Sequence, residues 1–294
     1  ISISKKNMIA ALFRKHACVS LNELKMKNIL MIRLSIFSLA FSLLFVSCKG
    51  KTEKEPVSET AEVKSETTAL PDKVEIFPVS HATAVIQWGE TTIYIDPVGG
   101  ADTFADYPPA DLILITDEHG DHFSMETLEG LPTQKAKIIA PRAVANQIPE
   151  SFTPQIDVLD NGAEKNRYGI AITAIPMYNL REEAKNFHVK GRGNGYVLEK
   201  SGMRIYFSGD TEDIPEMRAL KDIDKAFVCM NLPYTMTVEQ AADAVLAFTP
   251  AEVYPYHYRG RPDVSDVKRF AQLVNEGNPD IRVMQLDWYP GEAY

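Results

Sequence analysis

The amino-acid sequence predicts an α/β fold in which two packed β-sheets are combined with helices, and three observations predict it. Short β-type runs bounded by turn residues recur along the chain after residue 73. Two stretches carry apolar residues at helical spacing. Acids and histidines gather where the β-type runs end, as they do when several strands deliver side chains to one edge of a sheet.

Runs 84–88 and 92–95 open the domain, joined through Gly89 and Glu90 in a hairpin signal, and Asp96 closes the second run. Run 112–116 is continuously apolar until it meets the cluster DEHGDH. Further strands are expected at 137–140, 156–159, 170–175, 196–199, 204–208, 226–230, 252–256 and 281–286. The clearest helix spans 237–248, where Val238, Ala241, Ala242, Val245 and Leu246 share a face and Thr237 is placed to cap the first turn. A second helix is expected over 265–275, with Val267, Phe270, Ala271 and Val274 as its stripe. Both stripes read as core packing. No tandem repeat, phosphate loop or dinucleotide fingerprint is present.

The cluster after the 112–116 run is the chemical centre of the sequence. Asp117, His119 and Asp121 alternate and His122 follows at once, so four nitrogen and oxygen donors fall within six residues. Gly120 permits a tight backbone between them. Neutral imidazole and carboxylate suit Zn²⁺, Mn²⁺ and Fe²⁺, and the set leaves room for one ion or two. His188, Asp210 and His257 stand at other strand ends. His81 reads as a packed histidine of the first strand and is left out of the ligand set. Gly191, Arg192 and Gly193 read as a turn beside His188.

Before the domain the chain has a different character. Residues 1–25 carry no pattern and are expected to be a non-native upstream extension, a reading that peptides mapped upstream of Met26 would overturn. Residues 26–47 combine a basic start, an apolar core and a small residue before Cys48, the layout of a secretory signal peptide, and the Val-Ser-Cys ending resembles a lipoprotein box. Cys48 is therefore the expected lipidation site. The alternative is a signal anchor, because the apolar run is nearly long enough to span a bilayer. Residues 48–72 are rich in Lys, Glu, Ser and Thr and are expected to be a flexible tether, leaving 73–294 as one domain. The protein is then exported and anchored to a bacterial membrane, facing the periplasm or the cell surface. Cys229 is the one cysteine of that domain, which excludes an internal disulfide, and its apolar neighbours make it a buried strand residue. A formal net charge of −9 lacks the basic footprint that nucleic-acid binding requires. The oligomeric state is not legible.

Five features, in order, resemble the metallo-β-lactamase-fold hydrolases: the opening hairpin HATAVIQWGETTIYIDPV, the loop DEHGDH, His188 with a glycine three residues on, GDT at 209–211, and His257 after a late strand. The opening is similar to the branch containing ascorbate-6-phosphate lactonase and the N-acyl-phosphatidylethanolamine phospholipase D enzymes. The resemblance implies a four-layer αββα sandwich, two mixed sheets flanked by helices. It implies one metal held by Asp117, His119 and His188, another by Asp121, His122 and His257, and Asp210 bridging both, with Asp96 orienting a ligand from behind. This chain departs at Asp117, where the family pattern has histidine. A carboxylate there shifts preference toward Mn²⁺ or Fe²⁺ relative to Zn²⁺.

The activity so implied is hydrolysis of a small lactone, ester or phosphodiester by a metal-activated water that Asp121 orients. Tyr178, Asn179, Tyr234, Tyr258 and Arg259 lie beside the expected ligand loops and are the expected substrate contacts. Two other readings follow from the same fold: an iron-dependent oxidoreductase, and a lipid-anchored binding protein that has lost catalysis.

Overall fold

Val74–Ser80 (β1), Thr83–Trp88 (β2) and Thr91–Ile95 (β3) form an antiparallel meander, and Leu112–Leu114 (β4), Lys137–Ala140 (β5) and Ile156–Val158 (β6) extend it as parallel strands. These elements belong to a computed structural model that describes residues 73–291. The expected upstream extension, the leader over 26–47, Cys48 and the tether to residue 72 lie outside the described residues. Among the described residues, no helix is long and apolar enough to cross a membrane.

Strand β4 shows why the first sheet reads as continuously apolar. Leu112 and Leu114 enter the core between the sheets, while Ile113 and Ile115 face an outer layer with Val85, Tyr94, Ile138 and Val144. With both faces buried, the period-two alternation loses its polar half. The short helices Met125–Gly130 (α1) and Arg142–Ala145 (α2) cover this outer face through Leu128 and Val144. Ser124 caps α1 by accepting from the Thr127 amide.

The second sheet repeats the plan. Glu164–Arg167 (β7), Ile170–Met177 (β8), Gly193–Lys200 (β9) and Met203–Phe207 (β10) are antiparallel, and Lys225–Cys229 (β11), Glu252–Tyr256 (β12) and Arg282–Val283 (β13) follow in parallel. Its helices are Pro215–Arg218 (α3), Val238–Phe248 (α4) and Val267–Gly277 (α5). Thr237 and Gln240 close a reciprocal capping box on α4, and Ala241, Val245 and Phe248 bury its inner face. The four-layer sandwich expected from the resemblance is the one present.

The short helices α1, α2 and α3 were not expected from sequence, and three strands differ from expectation. Strand β1 carries no clear alternation because it is a partly buried edge strand, irregular at Pro78. Strand β7 is the polar edge EKNR, with no apolar signal at all. The strand expected over 281–286 shortens to Arg282–Val283. Beyond it the chain leaves the sheet edge and carries Trp288 and Tyr289 inward, where Trp288 is fully buried and its carbonyl accepts from the His81 amide at 3.1 Å.

Candidate metal centre

The strand ends place the chemistry. Asp96 follows β3, the DEHGDH loop follows β4, Asp210 follows β10, Asn231 follows β11 and His257 follows β12. All five lie beyond the carboxyl ends of parallel strands, where ligand sites of open α/β sheets form. His188 comes from the β8–β9 connection and His81 from the β1–β2 turn. Close approach requires glycine beside the Asp210 loop: a Cβ on Gly209 would lie 2.6 Å from Met177 Sδ, and its φ of 60° is left-handed. His81, Asp96 and His257 are also left-handed, with φ of 56°, 44° and 47°. Such conformations in non-glycine residues cost energy and persist where surrounding contacts over-determine them.

At the bottom of the site, His122 Nε2 lies 3.1 Å from His257 Nε2 and 3.5 Å from Asp210 Oδ2. His257 Nε2 lies 3.2 Å from Asp210 Oδ1, and His188 Nε2 lies 3.2 Å from Asp210 Oδ2. All four side chains are buried. Asp121 stands on the open side, with His257 and His81 Nε2 at 3.5 and 3.4 Å from its Oδ2. Burial works to raise the Asp210 carboxyl, but the imidazoles of His257, His122 and His188 packed around it outweigh burial and favour the carboxylate form.

The hydrogen bonds show whether a cation fits. His122 Nδ1 donates to Asp96 Oδ2 at 2.8 Å, and the Thr116 hydroxyl and amide donate to the same carboxylate at 2.6 and 2.7 Å. That assignment leaves the neutral imidazole with its lone pair on Nε2, facing His257 and Asp210. Asp210 Oδ1 is buried with no hydrogen-bond partner. Two imidazole nitrogens in close opposition and an unsatisfied carboxylate oxygen form a donor set suited to a divalent ion.

The ligand residues expected from sequence separate into overlapping groups. His122, Asp210 and His257 converge, His81, Asp121 and His257 form a second group, and Asp117, His119 and His188 a third. In the third, Asp117 is fully buried and pairs with Arg192: Nη2 and Nε lie 2.9 and 3.2 Å from its two carboxylate oxygens. His119 Nδ1 lies 3.0 Å from Asp117 Oδ2.

These groups open onto a cavity of about 410 Å³ whose wall includes Phe187, Tyr234, Arg259 and Arg261. Tyr234 and Arg259 thus stand where substrate contacts were expected. Tyr178, Asn179 and Tyr258 do not line it. The Tyr178 hydroxyl donates to Glu216 at 2.9 Å, Asn179 Nδ2 donates to the Ala184 and Tyr234 carbonyls, and Tyr258 is buried against Tyr289. Cys229 is free and buried, and burial pushes its thiol up to about 12.

Sequence reasoning missed His81 and Arg192. A lone histidine at a strand turn carries no signal of its own, and the Nδ1 contact to Tyr289 at 2.8 Å joins residues more than two hundred positions apart. Arg192, between two glycines, passed for part of a turn. The acid at position 117 was the usable signal, since a buried carboxylate calls for a cation.

A family profile described as "Beta-lactamase superfamily domain" matches residues 75–257. A Pyrococcus abyssi protein named a UPF0173 metal-dependent hydrolase is 32% identical over 213 residues, which is 69% of this chain and 93% of that protein. A Parabacteroides distasonis crystal structure, of a protein provisionally named a metal-dependent hydrolase, is 31% identical with a TM-score of 0.62, covering 74% of this chain and 100% of that one. The metallo hydrolase Igni18 from Ignicoccus hospitalis, at 24% identity and a TM-score of 0.61, covers 74% of this chain and 96% of its own and shows likeness of fold.

Proposed function

The chain belongs to the beta-lactamase superfamily, among its metal-dependent hydrolases, and we propose that it hydrolyses a small anionic ester, lactone or phosphodiester at a divalent metal centre built on His122, Asp210 and His257. The observation that carries this reading is the convergence of His122 Nε2, His257 Nε2 and both Asp210 oxygens within 3.5 Å at the floor of a cavity. Asp121 and His81 complete the set on the open side, and Asp117, His119 and His188 form the third donor group beside it. Imidazole and carboxylate in this mixture suit zinc or manganese, and iron is compatible. When bound, the cation supplies Lewis-acid polarisation of the substrate oxygen and a lowered pKa for the attacking water.

The chain's own residues supply the rest. The Asp121 side chain is 43% exposed and lines the cavity, so its carboxylate is placed to orient the attacking water and to take up its proton. Asp96 fixes the ring of His122 from behind. Arg259 and Arg261 give the opposite wall two positive groups, which favours a substrate carrying carboxylate or phosphate. The volume suits a small molecule. Turnover of matched anionic and neutral esters, lactones and phosphodiesters, before and after chelation and metal return, tests the reading. Turnover that survives chelation would contradict it.

The leader-like segment ending at Cys48 supports export and lipid anchoring. Mass mapping of the N-terminus, beside a Cys48→Ala variant, tests this; an unmodified Cys48 inside a longer N-terminal peptide would refute it.

A further inference from the structure

The third donor group is not equivalent to the first. Both carboxylate oxygens of Asp117 are taken by the Arg192 fork. His119 is drawn into the same pair, with Nδ1 at 3.0 Å from Asp117 Oδ2, and its Nε2 faces the guanidinium charge at 3.3 Å from Arg192 Nη2. Of the three potential ligands, only His188 directs its Nε2 toward Asp210.

Arg192 is itself held in place. Its Nη2 also donates to the Phe187 carbonyl, its Nε lies 3.6 Å from Glu118 Oε1, and its side chain is 19% exposed. Glu118 in turn accepts from Gln147 Nε2 at 2.9 Å. A planar guanidinium with this many acceptors is pre-organised and always charged. A dication bound by Asp117 and His119 would have to share the buried carboxylate with that charge, and like charges at such short range repel.

We infer that the guanidinium of Arg192 stands where a second metal ion would otherwise bind, so that the chain holds one divalent ion, at His122, Asp210 and His257, and not two. This rests on the metal-centre reading above and goes beyond it. Arg192 acts as a positioning and charge-compensating residue: it neutralises Asp117 and closes one donor group, leaving His188 to steady Asp210. Asp121 and His81, on the open side, would face the substrate side of such a single-ion centre.

The test is metal stoichiometry of the full chain, saturated with Zn²⁺ or Mn²⁺, desalted and measured by elemental mass spectrometry, with Mn²⁺ electron paramagnetic resonance as a second readout. The wild type is expected to hold one equivalent with an isolated-ion spectrum. Asp117→His combined with Arg192→Gln, which supplies a neutral ligand and removes the cation, is expected to hold two with a spin-coupled spectrum; Arg192→Gln alone is expected to exceed one. Two equivalents in the wild type would overturn the inference and leave the metal-dependent reading standing. One equivalent in both the wild type and the double variant would overturn it too, since the guanidinium would not be what excludes the second ion. No metal in the wild type after reloading would overturn both. The wild-type measurement decides even if the variants do not fold.

Discussion

His122 Nδ1 and Asp96 Oδ2 are 2.8 Å apart with both side chains fully buried, and this contact determines which ring nitrogen faces the centre. Asp96 is committed to the task, because its other oxygen accepts from the Thr116 amide. The ligand is therefore oriented by a strand end in the same sheet and not by the loop that carries it.

Replacing Asp96 with Asn should lower metal affinity about 10- to 100-fold, the usual effect of losing a partner behind a metal-bound histidine. Competition against a chromophoric chelator measures it. Unchanged affinity would mean that His122 is held by the fold alone.

Cavity position predicts a split among the residues that sequence reasoning grouped together. Arg259→Ala should raise KM for anionic substrates about tenfold while affecting neutral analogues little, as expected for loss of a charged contact. Tyr178→Phe should leave turnover unchanged, since that hydroxyl is committed to Glu216. Steady-state kinetics on the two substrate classes separates them.

Away from the site, Glu252 gives a pH dependence with a definite sign. Burial opposes its ionisation, but hydrogen bonds from Lys225, Tyr254 and Arg282 outweigh burial and bring its pKa from 4.5 to about 2. A folded-state pKa below the unfolded one contributes stability that is full above about pH 4.5 and is lost as the pH falls toward 2. Glu252→Gln should thus destabilise by about 1 kcal/mol at pH 7, allowing for solvent screening, and by less at pH 3. Denaturant titrations at the two pH values check this, and a deficit that grows in acid would contradict it.

Gly209 sets how closely the Asp210 loop approaches β8. Gly209→Ala should cost about 2 kcal/mol or more, from a left-handed φ combined with overlap against Met177. Chemical denaturation measures the loss, and a neutral substitution would show that Met177 moves aside freely.

Much of this arrangement was legible before any coordinates. The DEHGDH loop stood out because four donors in six residues follow an apolar run, and Asp96, Asp210 and His257 because each closes one. The strands over 137–140 and 252–256 match β5 and β12, where buried runs are sharply bounded. Legibility ended where a residue's meaning depends on a distant partner. The His81 ring gains its place from Tyr289 and His257, with ring centroids 5.7 and 3.9 Å away, and Arg192 from Asp117 across two loops. Edge strands β1 and β7 were hidden because partial exposure removes the apolar pattern. The common plan of the two sheets lies in backbone pairing and leaves no trace in the residues.

The most direct test is the metal content of the full chain purified without chelator, compared with a His257→Ala variant that removes a ligand shared by two of the donor groups. The wild type should carry bound zinc, manganese or iron, and the variant should lose most of it. A wild type that binds no divalent metal even after reloading, or a variant that retains all of it, would contradict a centre built on His122, Asp210 and His257.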